Sequence, residues 1–131
     1  MITLDASGVV ALLNPGDRFH TTAARTLVAS STPVVPAQIL SELTFAIARQ
    51  LGEWVVAPFL RGFETGSPLL DCADTDLPRI VELLERYADQ GLGFADAAVV
   101  ACAERHGGQI LSFDRRELDV VARDVPITIV P

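Results

Sequence analysis

The stretch Ala95–His106 carries seven small or apolar residues in a row, Ala97 to Ala103. It is framed by Gly91 and Gly93 on one side and by Gly107-Gly108 on the other. A helix that is apolar nearly all round has no solvent face to offer, so it belongs in the interior of a layered domain. What surrounds it must therefore supply layers on both sides.

The rest of the chain reads as those layers. Met1–Leu4 is an apolar run cut off at Asp5, and Ala6–Leu13 continues as a helix. Asn14-Pro15-Gly16-Asp17 is a turn signal. Phe19, Ala23 and Leu27 stand four apart, which predicts an amphipathic helix over 18–29. Pro33-Val34-Val35-Pro36 reads as a short buried strand, and 37–50 has helical periodicity through Ile39, Leu43 and Ile47. A helix over 53–63, a strand over 69–73 and a helix beginning at Asp76-Leu77-Pro78 follow. The last of these is expected to bury Ile80, Val81, Leu83, Leu84 and Tyr87. Beyond the central helix come a strand over 109–113, a helix over 115–122 and a strand over 127–130. Strands alternating with helices predict an α/β domain with a mostly parallel sheet, and 131 residues is the length of one domain. In such sheets ligands bind beyond the carboxyl ends of the strands, where the strand order reverses.

Composition narrows the chemistry. Half the residues are hydrophobic, which excludes a disordered chain. The formal net charge is −7, and all ten basic residues are arginine. Without lysine there is no P-loop lysine and no Schiff-base chemistry. An acidic balance taken alone also argues against a nucleic-acid binder. Cys72 and Cys102 lie in apolar surroundings without a CxxC pattern, so a disulfide is not expected and a reducing cytoplasm is. The amino terminus lacks the basic region of a signal peptide, and no apolar run is long enough to span a membrane.

Four carboxylates stand out. Asp5 and Asp114 each follow a predicted strand, so in a parallel sheet both emerge at one edge. Asp96 opens the buried helix. Counting ~100° per residue from Ile39, Glu42 falls at about −60°, on the margin of its helix's buried stripe. Each has a bland reading. Asp5 is placed to cap the following helix, Asp96 to favour a helix start, Asp114 to form a capping box with Glu117, and Glu42 to sit in solvent. Taken together, carboxylates converging on one sheet edge repel one another, and a hard divalent cation is the usual remedy. Oxygen donors without histidine or cysteine suit Mg²⁺ or Mn²⁺ better than Zn²⁺.

Asp5 with Ser7, Ser41-Glu42-Leu43, Phe94-Ala95-Asp96-Ala97 and Leu111-Ser112-Phe113-Asp114 resemble the motifs of PIN domains in order and spacing. More narrowly, the chain is similar to the VapC toxins of bacterial toxin–antitoxin pairs, and His20-x-x-x-Ala24 fits as well. The resemblance covers essentially the whole chain. It implies a three-layer α/β/α sandwich and a Mg²⁺-dependent endoribonuclease whose activated water leaves a 5′-phosphate and a 3′-hydroxyl. Asp5, Glu42, Asp96 and Asp114 would be its acidic quartet, with Asp5 and Asp96 as direct metal ligands. Ser7 and Ser112 would orient those carboxylates through their hydroxyls. The implied partners are RNA, a cognate antitoxin whose helix fills an apolar groove, and a second copy of the chain.

Weaker signals remain beside it. Cys102 and His106 are four apart on one helix, a spacing that binds zinc only with further ligands. Trp54, Phe59 and Phe63 read as core or dimer surface rather than as an RNA platform. Arg49, Arg115 and Arg116 are candidate phosphate contacts or simply solvated. Response-regulator receivers and haloacid-dehalogenase-like phosphatases also gather acids at strand ends, but both need a lysine. A PIN-like module without activity, its acids kept as caps, is the remaining alternative.

Overall fold

The computed structural model describes residues 1–30 and 32–131. Among them five strands form one sheet: β1 Ile2–Leu4, β2 Pro33–Pro36, β3 Leu69–Asp71, β4 Gln109–Leu111 and β5 Thr128–Val130. The order is β3-β2-β1-β4-β5, and every pairing is parallel. The helices are α1 Ala6–Leu13, α2 His20–Ala29, α3 Leu40–Leu51, α4 Val56–Gly62, α5 Leu77–Arg86, α6 Phe94–Arg105 and α7 Arg116–Val121. Helices α1 to α4 pack on one another, α5 and α7 pack on α6, and α6 lies against β1, β2 and β4. This is the expected three-layer sandwich. Because β1 is joined to β2 on one side and to β4 on the other, the strand order reverses at the β1/β4 boundary.

Burial follows the patterning. Ile2, Val34, Val35, Ile110 and Leu111 are all sealed in the sheet, as continuous apolar strands covered on both faces should be. Every residue of α6 from Ala97 to Ala103 is buried. In α5 the buried side is narrower than expected. Ile80 and Leu83, with Tyr87 just beyond the helix, are buried, whereas Val81 faces solvent at 50% exposure.

Gly8 permits a close approach of helix to strand. A Cβ there would lie 2.6 Å from the Leu111 carbonyl oxygen, so only glycine lets α1 settle over the end of β4. β4 ends at Leu111, two residues earlier than predicted. The chain turns at Ser112, and the next amide, that of Phe113, donates to the Ser7 hydroxyl (2.9 Å) instead of continuing the ladder. The strand after Ser67-Pro68 also stops early. Cys72, at φ +71°, turns the chain away after Asp71.

The cysteines overturn the expectation that they stay apart. Cys72 and Cys102 form a disulfide with their Cα atoms 5.6 Å apart, tying the end of β3 to α6. The pairing arises because α6 passes under β2 and brings Cys102 to Cys72, both packing on Val34. His106 lies in the same cluster. With the two sulfurs bonded to each other no zinc set is formed, and the His106 ring instead meets Asp71 at 2.8 Å.

Candidate active site

Asp5 is the best-held acid of the chain. It ends β1 and caps α1, so the bland reading of it is correct as far as it goes. Its Oδ1 accepts from the Gly8 amide (2.8 Å) and from the Ser7 hydroxyl (2.7 Å). Its Oδ2 accepts a short hydrogen bond from the Ser112 hydroxyl. Ser112 is fully buried and in turn accepts from the Asp114 amide (3.1 Å). The two serine oxygens stand 3.4 Å apart. Both hydroxyls therefore grip Asp5 while fixing the turn after β4, the geometry expected of groups that orient a ligand.

Asp5, Glu42, Asp96 and Asp114 line one small cleft of ≈ 60 Å³ at the carboxyl ends of β1 and β4, with Ser7 and Ile39 among its walls. Glu42 and Asp96 come from α3 and α6, and Asp5 and Asp114 from the connections that follow β1 and β4. Asp5 is buried and Asp96 half-buried in the first turn of α6, while Glu42 and Asp114 are exposed at the mouth. The capping-box reading of Asp114 does not hold, because α7 begins at Arg116 and Asp114 caps nothing. Among the described residues none of the four makes an ion pair with a basic side chain.

Burial raises the pKa of Asp5 above the usual carboxylate range, against the opposing pull of Ser112, Gly8 and Ser7. Asp96 is pushed up to about 6 by burial, with Glu117 the strongest charged neighbour and Asp5 and Asp114 adding to it. Glu117, in the first turn of α7, thus adds negative charge near Asp96 without lining the cleft. Its local pattern reads as a helix cap. The usable signal is its position three residues after Asp114.

This donor set fits a hard divalent cation. The donors are oxygens, the carboxylates lack basic partners among the described residues, and two of them have their pKa raised by burial, with neighbouring carboxylates adding to it. Among the described residues no three of these acids bring oxygens within 4.8 Å of one another, so the cleft is not a closed protein cage. That suits an ion bound through one or two carboxylates with water completing its shell.

Of the arginines, Arg115 is engaged by Asp119 (3.1 Å) and by the Pro131 carbonyl (2.8 Å), which removes it as a free phosphate contact. The Arg116 side chain is 90% exposed, and Arg49 also faces solvent. Phe59 and Phe63 pack edge to face at 5.2 Å against the core, whereas Trp54 is 78% exposed.

Comparison with known proteins agrees with this geometry. The family model described as the PIN domain matches residues 2–124. The chain belongs to the PIN-domain family. It is 26% identical over 121 residues to ribonuclease VapC26 of Mycobacterium tuberculosis, covering 90% of each chain. The crystal structure of M. tuberculosis VapC20, a Sarcin-Ricin loop cleaving toxin, superposes with a TM-score of 0.73 at 21% identity, covering 92% of this chain and 95% of that one. FitAcB from Neisseria gonorrhoeae matches with a TM-score of 0.70 at 15% identity, over 100% of this chain and 97% of the other. VapBC2 from Rickettsia felis, bound to a DNA fragment from its promoter, matches at 0.70 and 15%, over 98% and 97%. The PIN domain's fold and the resemblance to VapC-type proteins are both borne out. No helix is long and apolar enough to cross a membrane.

Proposed function

We propose that this PIN domain is a metal-dependent endoribonuclease toxin of the VapC type, cleaving RNA phosphodiester bonds under the control of a cognate antitoxin. One observation carries the reading: four acids from four separate segments share a cleft at the sheet's switch point, and among the described residues none has a basic partner. Caps alone do not require such convergence. Asp5 and Asp96 would hold the cation, Mg²⁺ with Mn²⁺ as substitute, and Glu42 and Asp114 would complete the site directly or through water. When bound, such an ion lowers the pKa of water and polarises the scissile phosphate.

The chain's own residues do the rest. Ser7, Gly8 and Ser112 donate to Asp5, fixing its orientation and favouring its charged form against burial. Ser112 also fixes the Asp114 amide, so the carboxylate at the mouth is placed relative to the one at the base. Glu42 and Asp114, solvent-facing, would orient water, and the exposed Arg49 and Arg116 would meet RNA phosphates. The reaction would leave a 5′-phosphate and a 3′-hydroxyl.

Relatives among the solved structures are VapBC and FitAcB assemblies, which supports an antitoxin partner here. An apolar cavity of ≈ 310 Å³ between α1, α2 and α4, lined by Leu12, Leu13, Leu27, Pro58 and Phe59, offers an amphipathic helix its groove. Exposed Phe45 and Trp54 supply apolar surface for a homodimer. The test is to sequence the 5′ ends of RNA fragments made after expressing wild type beside Asp96→Asn. Discrete 5′-phosphate ends confined to wild type are expected. Identical ends from both would refute the assignment.

A further inference from the structure

A second cavity of ≈ 320 Å³ opens beside the acidic cleft and shares the Ala6 and Ser7 wall with it. One side is aromatic. Phe19 and Phe113 stack with ring centres 4.4 Å apart and planes 6° from parallel, and the Arg18 guanidinium lies 4.5 Å from the centre of the Phe19 ring. The other side is polar, with Asp17 before α2 and Gln50 near the end of α3. Phe113 directly precedes Asp114, so whatever rests on this aromatic wall lies next to the cleft where the phosphodiester would be cut.

The polar groups are only partly used by the fold. Asp17 Oδ1 accepts from the Phe19 amide (2.8 Å), a local turn bond. Among the described residues its Oδ2 has no protein partner, and the Gln50 amide has none at all. With Phe113 stacked on Phe19 and Arg18 over the same ring, Phe19 has no free face, and this side serves as an apolar wall. Faced by a carboxylate and an amide, it suits a nucleobase, which packs on apolar surface and carries hydrogen-bonding atoms at its edge.

We infer that this cavity is a base-recognition subsite, and that it prefers guanine in the nucleotide beside the scissile phosphate. The inference rests on the nuclease reading of the adjoining cleft. Guanine alone among the four bases presents two neighbouring donors, its N1–H and exocyclic amine, which a single carboxylate can accept together. Its O6 is left for an N–H of Gln50. Adenine, cytosine and uracil each turn at least one acceptor toward Asp17, where two acceptors would face each other unpaired.

The test uses the full chain and two separate readouts. The first is cleavage, with Mn²⁺, of four single-stranded RNAs that differ only in the base beside the cut. The second is binding of guanosine monophosphate, followed by amide chemical shifts beside the adenosine, cytidine and uridine monophosphates. Asp17→Asn keeps an oxygen for the Phe19 amide but replaces the paired acceptor by a donor. Gln50→Ala removes an exposed side chain that supports nothing in the fold. Each is expected to lower the ratio of guanine over adenine cleavage about tenfold, ~1.4 kcal/mol, within the range for a base-edge contact. Guanosine monophosphate should shift the amides of Asp17, Phe19 and Phe113 in wild type and not in Asp17→Asn. Cleavage with equal rates at all four bases, or a preference unmoved by both variants, would overturn the subsite and leave the nuclease standing. If no RNA is cut, the nuclease reading fails, and the nucleotide shifts alone then decide whether the cavity takes a base. Absence of those shifts rejects it.

Discussion

The Ser112 hydroxyl donates to Asp5 across 107 residues of sequence, and this bond joins the end of β4 to the end of β1 at the floor of the acidic cleft. Two strands adjacent in the sheet thereby share one carboxylate. The bond is buried, and its acceptor carries the charge on which the site depends.

Removing it should be felt twice. Ser112→Ala strands a buried carboxylate of one donor, so the fold should lose ~1.5–3 kcal/mol, the usual cost for a bond to a charged group. Apparent affinity for Mn²⁺ should fall about 10-fold or more, as for other groups that orient a ligand. Urea unfolding and a metal titration followed by melting temperature measure the two. A variant matching wild type in both would remove Ser112 from the site.

The burial of Asp96, with carboxylates around it, predicts an opposite effect for its own removal. Its folded pKa of about 6 exceeds the ordinary 3.8. Below pH ~4 both folded and unfolded chains hold the proton and it contributes nothing. Between these values the folded state keeps a proton that the unfolded state releases, so stability falls as pH rises, and above about 6 the penalty is complete. Asp96→Asn should therefore stabilise the metal-free protein at pH 8 by ~1 kcal/mol, after discounting for the half-exposed carboxyl, and do little at pH 4. Saturating Mg²⁺ should raise the melting temperature of wild type and not of the variant. Thermal melts in EDTA across pH 4–8 check the sign.

Gly8→Ala should be among the more damaging single methyl additions. Its Cβ would meet the Leu111 carbonyl at 2.6 Å, and both partners are backbone in buried elements. A loss of ~1–3 kcal/mol is expected from the forced shift of α1 against β4. Because the Gly8 amide also holds Asp5, cleavage should fall with it. Denaturation curves beside Gly62→Ala, where nothing lies within 4 Å of the added carbon, supply the control.

The disulfide should matter to the fold more than to the cleft. Closing a loop over a sequence separation of 30 constrains the unfolded chain by ~3–4 kcal/mol in the entropic account. Dithiothreitol should therefore lower stability by that order in urea unfolding. Helix α6 stays packed against β1, β2 and β4 without it, so Asp96 keeps its place and RNA cleavage should survive reduction. Activity lost in step with the free-thiol count would show that the bridge positions the site.

What the sequence showed and hid divides along the range of the interactions. Asp5 and Asp114 were found because a strand followed by an acid is a local pattern, and a parallel sheet brings both to one edge. Asp96 was found because the helix it opens is apolar nearly all round. The influence of Glu117 was missed because its local pattern matched a helix cap, and only the packing of α7 on α6 sets its charge near Asp96. Cys72 and Cys102 gave no local signal, since their meeting depends on α6 passing beneath β2. The aromatic wall of Phe19 and Phe113 was likewise invisible, because its rings come from opposite ends of the chain.

The most direct measurement is the rate at which purified protein cuts a single-stranded RNA across a Mg²⁺ and Mn²⁺ titration, beside Asp5→Asn. Cleavage that rises and saturates with metal, vanishes in EDTA and falls at least 100-fold in Asp5→Asn is the predicted result. Cleavage unaffected by EDTA or by Asp5→Asn, or none in wild type with no metal-induced rise in melting temperature, would contradict the account.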